Sequence, residues 1–109
     1  MSTQIAWAAG LFEGEGSLTN SGIYPKLYMA MTDLDVVERF MKIVGIGTIH
    51  VRDRYPHKTQ YSWQLSGKKC KPVVEMFLPY FGERRAYKAL NILDDIECNL
   101  YQTNTNQEQ

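Results

Sequence analysis

Apolar residues recur along the chain with two different periods, and the switches between them divide it into short elements. Ile5, Ala8, Ala9, Leu11 and Phe12 fall at helical spacing in an alanine-rich stretch, which predicts a helix from Ile5 to Phe12 ended by Gly14 and Gly16. The period drops to two over Ser17 to Ile23 and Lys26 to Met31. There Leu27, Met29 and Met31 alternate with Lys26, Tyr28 and Ala30, as in a hairpin turning at Ser21-Gly22 and Pro25. Thr32-Asp33-Leu34-Asp35 supplies a cap and an acidic first turn for a second helix reaching about Val44. Its apolar stripe is Leu34, Val37, Phe40, Met41 and Val44, and Gly45 and Gly47 terminate it.

Strand alternation returns from Thr48 to Arg54, with Ile49 and Val51 on one side and Thr48, His50, Arg52 and Arg54 on the other. Tyr55-Pro56-His57-Lys58 turns the chain, and Gln60 to Ser66 returns with Tyr61, Trp63 and Leu65 inward and Gln60, Ser62 and Gln64 outward. From about Lys69 a helix carries Val73, Val74, Met76, Phe77 and Leu78, with Pro72 tolerated in its first turn. Pro79 ends it, and a last helix from about Glu83 to Glu97 is expected to bury Ala86, Leu90, Leu93 and Ile96. Two hairpins, each preceded by a helix, imply an α+β fold: one four-stranded antiparallel sheet with its helices on one face. The apolar strand residues share one parity. The other parity puts Ser17, Thr19, Ser21, Lys26, Tyr28, Thr48, His50, Arg52, Arg54, Ser62 and Gln64 on an open face without a carboxylate, whereas a face that is merely solvated usually mixes both signs.

At 109 residues the chain is sized for one domain, taken as residues 1–100, with the polar stretch 101–109 expected to be a disordered tail. Lys+Arg and Asp+Glu are both 12, so net charge says nothing about partners, but the distribution is polarised. Between His50 and Lys71 the chain carries +5, from Arg52, Arg54, Lys58, Lys68, Lys69 and Lys71 against Asp53, and the remainder carries −5. This pattern suits either a solvated basic loop or an anionic partner. No apolar run approaches the roughly 18 residues of a membrane span, and Met1-Ser2-Thr3-Gln4 lacks a basic secretory start. The expected location is therefore the cytoplasm or an organellar matrix, without secretion or membrane attachment. Cys70 and Cys98 have neither the spacing of a zinc cluster nor the company of a disulfide scaffold, and both are expected to be reduced.

The most specific signal is Ala8-Ala9-Gly10-Leu11-Phe12-Glu13-Gly14-Glu15-Gly16, a small-residue helix that runs into two carboxylates separated by one glycine. This stretch resembles the signature of the LAGLIDADG homing endonucleases. Ala9-Gly10-Leu11 matches the family's Ala-Gly-Leu, Phe12 its apolar position, Glu13 and Glu15 its two acidic positions, and Gly16 its final glycine. Ala8 stands where leucine is usual, and both acids are Glu instead of Asp. The element order is similar to the family's αββαββα core. Gly45-Ile46-Gly47 opening a basic strand and Pro79-Tyr80-Phe81 preceding a basic helix also resemble it, so that the likeness covers roughly residues 5 to 97.

Ala6, Gly10 and Gly14 lie four apart with Ala9 beside them, so one helical face is nearly bare and admits a second backbone, either the protein's own sheet or another helix. The resemblance implies the latter: a homodimer about a twofold axis through Ala6, Ala9, Gly10, Glu13 and Gly14. It further implies a site-specific double-strand DNA endonuclease that hydrolyses phosphodiester bonds with magnesium (Mg2+), or another divalent cation such as manganese (Mn2+), held by Glu15. By the same comparison Asp33 orders water, an alternative to its role in the acidic first turn. Arg84 stands where the family carries a charge-stabilising lysine, with Arg85 as the fallback, and Val37 stands where some members carry a further basic residue. Lys68, Lys69 and Lys71 are expected to contact phosphates while the open face reads bases. The alternative function is a non-cleaving sequence-specific DNA-binding protein or intron-splicing helper of the same fold.

Overall fold

The first helix, α1 (Thr3–Glu15), extends beyond its expected ends and contains Gly14 instead of stopping at it. The computed structural model describes the backbone of residues 3–21 and 24–108 and the side chains of 3–19 and 24–96. The turn at Gly22, the side chains of Ser21 and Cys98, and those of the 101–109 tail lie outside the described residues. Glycine inside a helix costs about 1 kcal/mol relative to alanine. What holds the last turn of α1 is the Arg85 guanidinium, which donates to the carbonyls of Glu13 at 2.9 Å and Gly16 at 3.1 Å. Gly16 starts β1 (Gly16–Ser21) without a loop, and a Cβ there would overlap the ring and carbonyl of Phe12.

β2 (Tyr24–Met31) begins earlier than expected, so Pro25 lies inside the strand opposite Asn20. α2 (Leu34–Val44) ends as the glycines predict: Gly45 takes the left-handed conformation, φ 82°, and its N–H returns to the Met41 carbonyl at 2.7 Å. β3 (Thr48–Arg52) stops short of Arg54, whose carbonyl accepts from the His57 N–H at 2.7 Å in the following turn. β4 (Gln60–Ser66) leads through a 3₁₀ turn, Gly67–Lys69, into α3 (Cys70–Phe77); a second such turn, Leu78–Tyr80, precedes α4 (Glu83–Glu108). α4 thus runs past the expected end at Glu97. None of the described helices is long and apolar enough to cross a membrane.

The sheet order is β1-β2-β4-β3 with every neighbour antiparallel, so the two hairpins join through their inner strands. The register aligns Leu18 with Leu27 and Leu65, and Met29 with Trp63 and Ile49, collecting the apolar parity on the face that α1, α2 and α3 cover. Phe12, Phe40, Trp63 and Phe77 are fully buried at its centre. The Phe40 and Trp63 rings meet edge-on at 4.9 Å, an arrangement worth about 0.5–1.5 kcal/mol beyond area burial. The Trp63 Nε1–H donates to the Ile46 carbonyl at 2.9 Å, and Gly47, at φ 117°, leaves room for the indole where a Cβ would overlap it.

Two expected faces are corrected. Among the described side chains of α4 the buried ones are Ala89, Ile92 and Ile96, while Leu90 is 50% exposed and Ala86 and Leu93 are only partly covered. The inward stripe is registered on Arg85, which must face the end of α1. Val51 has the inner parity but is 65% exposed, because the helical layer does not reach this end of the edge strand. Cys70 is a free, fully buried thiol whose Sγ donates to the Leu65 carbonyl at 3.4 Å; burial pushes its pKa up to about 11.

Candidate nucleic-acid interface

Strand pairing arranges the open face in ranks, with neighbours about 4.8 Å apart across the sheet. Ser17, Tyr28, Gln64 and Thr48 cross it from edge to edge; Thr19, Lys26 and Ser66 form the next rank. On the other side come Ala30, Ser62 and His50, then Gln60 and Arg52. No described residue of these ranks is acidic. Gln60 and Ser66 were not among the candidates read from the sequence, although they share the strand parity of Ser62 and Gln64.

The side chains on this face differ in availability. Lys26, Thr48, His50, Gln64, Ser66 and Lys69 border a cleft of about 460 Å³, which places the last residue of the 3₁₀ turn beside the sheet. The Thr48 hydroxyl and His50 Nε2 lie 3.0 Å apart, and the Gln64 amide Nε2 donates to Ser62 Oγ at 3.1 Å. Thr19 Oγ1 donates to the Lys26 carbonyl at 3.3 Å, and the Lys26 ammonium lies 5.7 Å from the centre of the Tyr28 ring. Two candidates need correction. Ser62 is only 7% exposed, packed between the strands of Ala30 and His50, so it cannot reach a partner directly. Arg54 lies beyond the end of β3, in the exposed turn, instead of on the sheet. Lys68 and Lys69 are exposed in the 3₁₀ turn, whereas Lys71 is half-buried in α3.

The foot of α1 forms the second part of the site. Glu13 Oε1 accepts from the Gly82 N–H at 2.8 Å, just before the first residue of α4, where a carboxylate also complements the helix dipole. The Glu13 carboxylate, expected at the intermolecular face, is thus engaged within the chain. Arg85 is likewise committed to the α1 carbonyls, while Arg84 is exposed and borders, with Glu13 and Glu83, a cavity of about 300 Å³. Glu15, the last residue of α1, is exposed. Asp33 occupies the N-cap of α2 without a side-chain capping hydrogen bond; only its carbonyl receives the first-turn N–H groups, and the carboxylate faces solvent. Val37 is fully buried in the core.

Along α1, Gly10 and Gly14 are exposed, and a Cβ added to either meets open space; Ala6 is half-buried beside them. Ala9 does not belong to this strip. It is fully buried with Ala8 and Phe12, because residues three and four apart share a face and Phe12 turns inward. For a cation, Glu15 offers a hard oxygen donor of the kind magnesium and calcium take, but the described residues hold no cluster of three or more His, Cys, Asp or Glu side chains suited to a metal ion.

No family sequence profile and no curated protein sequence matches the chain. Solved structures do. The homing endonuclease I-CvuI, in complex with its target in the presence of calcium, superposes with a TM-score of 0.69 at 21% identity over 86% of this chain. The group I intron-encoded homing endonuclease I-CeuI, complexed with DNA, gives 0.69 at 14% identity over 98%. The LAGLIDADG meganuclease I-CpaMI, bound to uncleaved DNA, gives 0.53 at 14% identity over 73%. The chain has the LAGLIDADG homing endonuclease fold. It spans 66% of the I-CvuI chain, 59% of I-CeuI and 30% of I-CpaMI. α1 carries the stretch that resembles the LAGLIDADG signature, and the spacing of Phe12, Glu13 and Gly16 is explained by this chain's own contacts: an aromatic core, the α4 cap and a close strand approach.

Proposed function

We propose that the chain acts as a homodimeric, site-specific double-strand DNA endonuclease dependent on a divalent cation. The observation that carries this reading is the acid-free open face bearing Lys26, His50 and Arg52, on a fold whose signature helix ends in the exposed Glu15. An exposed polar and basic sheet suits the major groove, where Arg and Gln side chains pair with guanine and adenine edges. Lys69, beside the cleft, and the exposed Lys68 before it supply phosphate contacts and the salt dependence that accompanies them.

Two copies meeting along Ala6, Gly10 and Gly14 bring their helix feet together about a twofold axis, so each Glu15 lies near its symmetry mate. The two carboxylates and the DNA phosphates then offer oxygen donors that one chain lacks. A magnesium or manganese ion held there by the Glu15 carboxylates would supply a more acidic water and charge stabilisation. Asp33 would accept a hydrogen bond from the attacking water and hold its orientation, and Arg84 would bind phosphate oxygens bidentately and balance the charge that develops on them. Glu13 and Arg85 keep the foot of α1 in place.

The test uses a duplex selected from a randomised library, with Glu15→Gln as the comparison. The unmodified protein is expected to cut both strands with magnesium, and Glu15→Gln to bind within a few fold of it while cleavage falls to background. Undiminished cleavage by the variant would place the chemistry elsewhere. Tight binding without cleavage by either protein would assign the chain to the non-cleaving DNA-binding or splicing-helper class.

A further inference from the structure

Ser62 is the one polar residue buried among the described side chains, and its hydroxyl is turned to the open face, where it accepts the Gln64 amide at 3.1 Å. It stands in an inner strand between Ala30 and His50, while Gln64 stands one rank away between Tyr28 and Thr48. A glutamine on an open strand ordinarily samples several rotamers and both amide orientations. Here the amide is hydrogen-bonded to Ser62, whose backbone is fixed by strands paired on both sides, and this contact holds the Gln64 side chain in one rotamer. Oε1 and the second Nε2 hydrogen remain for a partner.

One acceptor beside one donor is the complement of the adenine major-groove edge, whose N6 amino group donates and whose N7 accepts. Guanine presents two acceptors, N7 and O6, and suits a glutamine only if its amide turns to offer donors. We infer that Ser62 is a positioning residue that holds the Gln64 side chain in place on the open face, where its amide pairs with adenine. The inference rests on the duplex-binding reading of the open face. On the adjacent strand the Thr48 and His50 pair, 3.0 Å apart, borders the same cleft and limits the space into which a loosened Gln64 swings.

The experiment measures binding to a duplex selected from a randomised library, and to all single-base variants of it, for the unmodified protein and for Ser62→Ala, Ser62→Thr, Gln64→Ala and the Ser62→Ala/Gln64→Ala double variant. Adenine is expected to be preferred over guanine by about tenfold at one position per half-site, the range of a bidentate contact. Ser62→Ala should reduce that ratio to about two- or threefold at this position alone, with unchanged melting temperature and unchanged affinity for random duplex. Ser62→Thr should retain the preference, and the double variant should match Gln64→Ala. An adenine preference intact in Ser62→Ala, a loss spread over all positions, or a Gln64-dependent preference for another base would overturn the inference while leaving the duplex-binding reading in place. Equal binding of selected and random duplexes by the unmodified protein would overturn both.

Discussion

Glu13 and Arg85 cap each other's helices. The Glu13 carboxylate accepts the Gly82 N–H at the start of α4 at 2.8 Å, and Arg85, in the first turn of α4, donates to the Glu13 carbonyl at 2.9 Å and the Gly16 carbonyl at 3.1 Å. Each helix end has polar backbone groups without intrahelical partners, and each is served by a side chain of opposite charge from the other helix. The two acids of the signature therefore have separate environments: Glu13 faces the chain's own α4 and Glu15 faces outward.

This reciprocity predicts coupled stabilities. Arg85→Ala and Glu13→Gln are each expected to lower unfolding free energy by about 1–3 kcal/mol in urea titrations, through lost charge-assisted hydrogen bonds. The double variant should cost less than the sum of the two. Strict additivity would mean that the two caps act independently.

Gly47 is constrained by its conformation and by the Trp63 indole together. Gly47→Ala is expected to destabilise the fold by about 2 kcal/mol or more, from overpacking and from a Cβ at positive φ. Combining it with Trp63→Phe should not restore stability, because the backbone strain remains and the Ile46 carbonyl loses its donor. Thermal unfolding of the three variants measures both effects.

A Cβ at Gly10 meets open space within the chain, and leucine improves on glycine's helix propensity by roughly 0.5–0.8 kcal/mol. Gly10→Leu is therefore expected to melt no lower than the unmodified monomer while sedimenting as a monomer at tens of micromolar, where the unmodified chain should sediment as a dimer. Identical sedimentation of the two would remove the proposed helix contact.

Arg52 and Lys69 should separate base reading from phosphate contact. Arg52→Ala is expected to cost about 1–3 kcal/mol on a selected duplex and little on random DNA. Lys69→Ala should weaken both alike and flatten the salt dependence by about one counterion. Binding isotherms over a range of salt concentrations distinguish the two patterns.

Cys70 gives a pH signature. Its thiol has a pKa raised from 9.0 to about 11 in the fold, so the folded state keeps a proton that the unfolded chain releases. The associated stability is complete below about pH 9 and is lost as pH rises toward 11, with a slope of up to about 1.4 kcal/mol per unit. Denaturant titrations of the unmodified protein and Cys70→Ala from pH 8 to 11 should converge by that trend. At pH 8 the thiol should react with a disulfide reagent only as fast as the protein opens.

The order of the elements, the parity of the sheet and the acidic signature were legible in the sequence because each is a local pattern. Period-two alternation located β4 over Gln60 to Ser66, and the capping glycine after Val44 marked the end of α2. What the pattern could not decide was which of several helix faces the rest of the molecule would cover. Ala9 went to the core because Phe12 fills it, and α4 turned on its axis because Arg85 had to meet the carbonyls of Glu13 and Gly16 from nearly seventy residues away in sequence. The resemblance already set Glu15, as metal ligand, apart from Glu13, in the packing of the helix end, but the sequence named no partner for either. Only the arrival of Gly82 beside one of them gave the two carboxylates different partners, since a hydrogen bond depends on distance in space and a sequence motif carries none.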